Sequence, residues 1–127
     1  MRKTAQLGFI MISLLTMLFH VLVLVKIIPS DMVWGGRLQS ESEMYTFELV
    51  SLALNMFFLS VILVKSKILK FKIPDKIITV ILWLMFALFL INTAGNLLSN
   101  NQLEKIIFTP ITILLSIFSF ILARDKQ

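Results

Sequence analysis

The chain has 127 residues with a formal net charge of +5; 58% of the residues are hydrophobic and only 15% are charged. That is too little polar surface for a soluble domain of this size, and long apolar runs with few charges read as membrane spans. Cysteine is absent, which excludes disulfides, thiol redox chemistry and cysteine-ligated metals.

Four apolar stretches follow one another: residues 6–28, 44–64, 76–98 and 103–123. Each is close to the ~20 residues that cross a ~30 Å hydrocarbon layer at 1.5 Å per residue. In lipid each has to be helical, because only a helix satisfies its own backbone hydrogen bonds. The opening MRKTAQ could begin a secretory signal, but the apolar run behind it is too long and no small-x-small cleavage site follows, so it reads as a retained first span. Pro29 is expected to end that span, since proline cannot continue the helix ladder. Pro74 and Asp75 mark the start of the third. The expected fold class is all-α: an integral membrane four-helix bundle in a single domain covering residues 1–127.

Basic residues set the orientation. Arg2 and Lys3 precede the first span, Lys65, Lys67, Lys70, Lys72 and Lys76 lie between the second and third, and Arg124 and Lys126 follow the fourth. These nine of the twelve lie on one side, against Lys26, Arg37 and Lys105 on the other. The positive-inside rule then puts both termini in the cytoplasm of a cell-membrane protein. The same placement argues against nucleic acid as a partner, because the positive charge sits in short loops rather than on one continuous face. The Lys65–Lys76 segment alternates lysine with apolar residues and is expected to lie against anionic lipid.

Each span also carries small or polar residues at three- and four-residue spacing, which places them along one helix face. The sets are Ser13, Thr16 and His20; Glu48, Ser51 and Asn55; Asn92, Asn96 and Ser99 beside Gly95; and Thr109, Thr112, Ser116 and Ser119. Close helix packing explains the last set, because small residues let membrane helices approach one another. The others concentrate their strongest polar groups towards the outer side. By the helical rise, Glu48 and Asn92 are expected roughly 6 Å from the outer end, and His20 and Asn55 roughly 12–16 Å from it.

Glu48 is the sharpest signal, because an ionisable group inside a span usually faces the bundle interior or a watery cavity. Its alternatives are solvation near the interface or pairing with Arg37 or Lys105. His20 is the single histidine. Alone it cannot build a metal site, which needs three or four ligands, so no metal is expected, and no cofactor is implied. It can serve either as a proton-transfer partner for Glu48 or as a packed histidine bonded to a neighbouring helix. Trp34-Gly35-Gly36-Arg37 reads as a turn, with Trp34 and Tyr45 as interfacial aromatics. Arg37 could meet an anionic headgroup or carboxylate. No Walker or dinucleotide pattern is present.

Over nearly its whole length, and through the loop WGGRL leading to MYTFE, the chain resembles the small four-helix integral membrane proteins of bacteria. That resemblance implies architecture and no particular activity. It departs from small multidrug-resistance transporters, which carry their carboxylate in the first span, and from vitamin K-type quinone reductases, which need cysteine pairs. It is similar in span number and size to the DoxX-like and sterol-isomerase-like (EXPERA) groups, the latter using intramembrane acidic residues.

The function these readings favour is a small multi-pass membrane protein that binds a small amphiphile or lipid, or docks a partner membrane protein. The outward-facing polar pocket would be lined by Trp34, Arg37, Glu48, Asn55, Asn92 and Asn96. Expected partners are membrane lipids and a second copy or partner membrane protein. The alternative is an enzyme on a lipid-soluble substrate, with Glu48 and His20 as catalytic acid–base pair. A transporter comes third and requires a dimer, because four short helices enclose little space.

Overall fold

A computed structural model describes residues 1–29 and 40–125. The described residues form four helices, α1 (Arg2–Leu24), α2 (Glu41–Lys65), α3 (Asp75–Leu97) and α4 (Gln102–Arg124), each long and apolar enough to cross a membrane. They run alternately up and down and pack in a ring, α1 beside α2 and α4, α3 beside α2 and α4. The α3–α4 pair shares the most extensive interface and the α2–α3 pair the least. The upper end of the bundle holds the α1 C-terminus, the α2 N-terminus and the α3–α4 turn. The lower end holds the first residues, the α2–α3 connection and the end of α4.

The helix limits follow from local chemistry. Ser40 accepts a hydrogen bond from the Glu43 amide (3.1 Å) and caps α2, with Glu41 and Glu43 in the first turn against the positive end of the helix dipole. Asn101 does the same for α4 by accepting from the Glu104 amide at 2.9 Å. The first helix stops before Pro29 is reached. Lys26 takes a left-handed backbone (φ 64°), its amide donates to the Val23 carbonyl and the Ile27 amide to that of Leu22. This paired closure ends α1 at Leu24 and leaves Pro29 outside. The expectation that Pro29 ends the span is corrected accordingly. Lys67 (φ 62°) closes α2 in the same way, with the Lys67 amide on Val64 and the Ile68 amide on Leu63.

The core lies in the lower and middle part. Phe89 of α3 meets Phe9 of α1 and Phe58 of α2 edge to face, with ring centroids at 5.8 and 5.3 Å. Ala5, Ile62, Leu82, Met85, Leu115 and Leu122 fill in around them. Gly8 of α1 faces the Phe118 ring so closely that a Cβ there would lie 2.6 Å from it. On α4, Thr112, Ser116 and Ser119 are all buried, and Ser116 Oγ donates to the Phe86 carbonyl of α3 at 3.3 Å. This is the packing role expected of that set. Outside the core the helices stay apolar: only 17 to 33% of the most apolar stretch of each is buried. An apolar exterior of that extent is far larger than a soluble monomer presents to water.

Candidate functional site

The buried side of α2 is a single row of residues: Met44, Glu48, Ser51, Phe58, Ile62 and Lys65. Their three-, four- and seven-residue spacings keep them on one face. Glu48 lies seven residues into the helix, about 10 Å from its start, and His20 lies four residues, about 6 Å, before the end of α1. The two helices are antiparallel neighbours, so both side chains reach the same level. His20 Nδ1 and Glu48 Oε2 are 2.5 Å apart, a short hydrogen bond between helices. Glu48 is fully buried and the His20 side chain is 13% exposed. The other carboxylate oxygen, Oε1, is buried and has no hydrogen-bond partner among the described residues.

The pair is walled by apolar residues. One turn nearer the upper end, Val23 and Met44 are buried against each other with Phe19, Leu24 and Ile28 around them. The His20 ring stands edge-on to Phe19 (5.5 Å), which in turn meets Phe108 of α4 at 4.7 Å. Across the gap between α1 and α2, the exposed groups Lys26 and Glu41 form an ion pair, linking the two helices above the buried pair. A carboxylate held this way has one oxygen committed to an imidazole nitrogen and one oxygen able to accept a further hydrogen bond.

The remaining candidates divide. Trp34 and Arg37 lie outside the described residues. Asn55 is half-buried and its Nδ2 donates to the Ser51 carbonyl of its own helix at 2.8 Å. Asn92, expected to face inward, is exposed on the outer side of α3. The α3 face that meets α4 runs instead through Phe89, Thr93 and Asn96. Thr93 Oγ1 donates to Thr112 Oγ1 at 2.9 Å, and Asn96 Nδ2 donates to Thr112 Oγ1 and the Phe108 carbonyl, both at 3.3 Å. Thr93 was not singled out in the sequence. Its signal was the spacing from the aromatic core, four residues beyond Phe89 and three before Asn96.

The depth assignment changes too. His20 is level with Glu48 rather than with Asn55, because α1 ends four residues sooner than expected and the whole helix face moves up by about one turn. Of the candidates described, only His20 and Glu48 meet each other, between α1 and α2; a second buried carboxylate, Glu104, accepts from Ser99 at the α3–α4 turn. Among the described residues there is no group of three or more His, Asp or Glu side chains placed to hold a metal ion. No family model, no curated protein and no solved structure matches the chain.

Proposed function

We propose that this is a multi-pass membrane protein with both termini in the cytoplasm, and that the His20–Glu48 pair is the polar centre of an outward-facing site for a small amphiphile. The apolar helix exteriors and the nine-to-three division of basic residues support the membrane part of the reading. One observation carries the site: a fully buried carboxylate whose Oε1 accepts no hydrogen bond from any described residue. Such an oxygen is costly in an apolar surrounding unless a donor reaches it. A hydroxyl or amine on an amphiphile supplies that donor, and the apolar residues Val23, Met44 and Phe19 receive its hydrocarbon part. The partly exposed His20 edge is the side from which the ligand enters.

The test is retention of co-purifying amphiphile. The protein is extracted in mild detergent and its bound small molecules are identified by mass spectrometry, beside Glu48→Gln. A hydrogen bond to a charged group contributes about 1.5–3 kcal/mol, so this change should lower retention roughly tenfold or more while the protein stays monodisperse. Equal retention by both proteins would remove the carboxylate from any binding role. The direct imidazole–carboxylate contact also supports a second reading, acid–base chemistry on a lipid-soluble substrate. Under that reading Glu48→Gln retains the molecule, and a product found with the unaltered protein is replaced by its precursor.

A further inference from the structure

The lower end of the bundle carries a second polar feature, on the opposite side of the core from His20 and Glu48. Where α2 and α3 part, the end of α2, the start of α3 and the end of α4 border a cleft of about 570 Å³. Lys65, Asp75, Thr79, Trp83, Arg124 and Asp125 line it.

Its lining carries two cations, Lys65 and Arg124, and two carboxylates, Asp75 and Asp125, and among the described residues neither cation pairs with either carboxylate. Lys65 is 8% exposed, and its Nζ donates to the Asp125 backbone carbonyl at 2.7 Å. It forms no ion pair among the described residues. An ammonium offers three donors, and a buried cation without a counter-ion is strongly disfavoured. Arg124 lies 5.6 Å from the Phe120 ring centroid and likewise has no carboxylate partner among the described residues. The acids are placed differently. Asp125 Oδ2 is 3.7 Å from Arg2. Asp75 is the first residue of α3, where a negative charge complements the helix dipole. Lys65 and Arg124 therefore border the cleft without a carboxylate partner among the described residues.

We propose that this cleft binds the phosphate of a phospholipid headgroup, received by Lys65 and Arg124. Thr79 adds a hydroxyl donor. Trp83, packed edge-on against Phe86 and Phe120 at 5.9 and 5.5 Å, forms an aromatic wall of the kind that sits at headgroup level. The source of the phosphate follows from the membrane reading above; the oxyanion follows from the buried Lys65 ammonium, whose hydrogen bond goes to a backbone carbonyl, and from Arg124 beside it.

The full chain in detergent is titrated with dihexanoyl phosphatidylglycerol, with inorganic phosphate and with dihexanoylglycerol, which lacks the phosphate, and binding is read by native mass spectrometry. Lys65→Met keeps the length of the side chain and removes its charge. It should weaken phosphatidylglycerol binding about tenfold or more, as expected for loss of a charge-assisted hydrogen bond. Arg124→Gln, at the more exposed rim, should weaken it about threefold. Lys70→Gln, on the exposed connection outside the cleft, should leave it unchanged, and dihexanoylglycerol should not bind. Equal losses for Lys65→Met and Lys70→Gln would overturn the proposal in favour of general surface charge. Displacement of the lipid by an equal concentration of inorganic phosphate would overturn the lipid source. Should Lys65→Met fail to fold, unchanged affinity in Arg124→Gln is the refuting result. Glu48 is untouched in these variants, so failure here leaves the upper-end reading standing.

Discussion

Replacing His20 with phenylalanine asks how much of the bundle depends on one interhelical contact. The new side chain fills a similar volume but leaves Glu48 fully buried, with Oε2 deprived of its partner and Oε1 already without one. Two scales compete. An ordinary hydrogen bond between membrane helices contributes about 0.6 kcal/mol, with a maximum near 1.7. Removing one member of a buried charged pair costs about 3–5 kcal/mol, because the other charge stays buried and uncompensated. The complete burial of Glu48 favours the larger scale. His20→Phe should therefore destabilise by about 3–5 kcal/mol, whereas Glu48→Leu should cost less because the His20 side chain, 13% exposed, keeps access to solvent. The double variant should regain most of the loss, since replacing a buried pair with packed apolar groups is often neutral or stabilising. Reversible unfolding in mixed micelles, titrated with sodium dodecyl sulfate and followed by circular dichroism, gives the three free energies. A coupling below about 1.7 kcal/mol would refute the reasoning and reduce the contact to a neutral interhelical hydrogen bond.

Two further outcomes follow from the helix ends and the basic residues. Reporter fusions placed after Arg37 and after Lys70 should report opposite sides of the membrane; the same side for both would dismiss the proposed orientation. Lys67→Gly should stabilise the protein by about 1 kcal/mol, because the left-handed backbone there (φ 62°) strains any residue with a Cβ. Unfolding of this variant at unchanged or lower denaturant would show that the lysine side chain contributes something the capping geometry does not.

The four helices were legible because each is a long apolar run bounded by charge, and the observed limits fall within about one turn of the expected ones. Glu48 was legible as a buried group from the scarcity of ionisable residues in the spans, and His20 as one of its candidate partners, but the sequence placed His20 level with Asn55 rather than with Glu48. Two things were hidden. The end of α1 depended on Lys26 adopting a left-handed backbone, and lysine gives little sign of that, whereas Pro29 three residues on was a conspicuous but later stop. The second was the rotation of α3. Its sequence is apolar on every side, so amphipathic periodicity could not tell an inward face from an outward one. Asn92 and Thr93 are neighbours, and a turn of about 100° between them decides which faces α4. The core aromatics decided in favour of Thr93, because Phe89 had to reach Phe9 and Phe58.

Under the proposed membrane reading, the weak α2–α3 seam bears on how the chain would enter a bilayer. The polar contacts inside the bundle join helices that are consecutive in the chain: His20 to Glu48 within the first helical hairpin, and Thr93, Asn96 and Phe86 to their α4 partners within the second. Between hairpins, the polar links among the described residues lie at the lower end, where Lys65 and Arg2 both reach Asp125. On that reading, each hairpin would thus enter the bilayer with most of its interior polar groups partnered by its own neighbour, Glu48 Oε1 being an exception. Their later union brings together mainly apolar side chains and closes last at the rim, where water is still at hand.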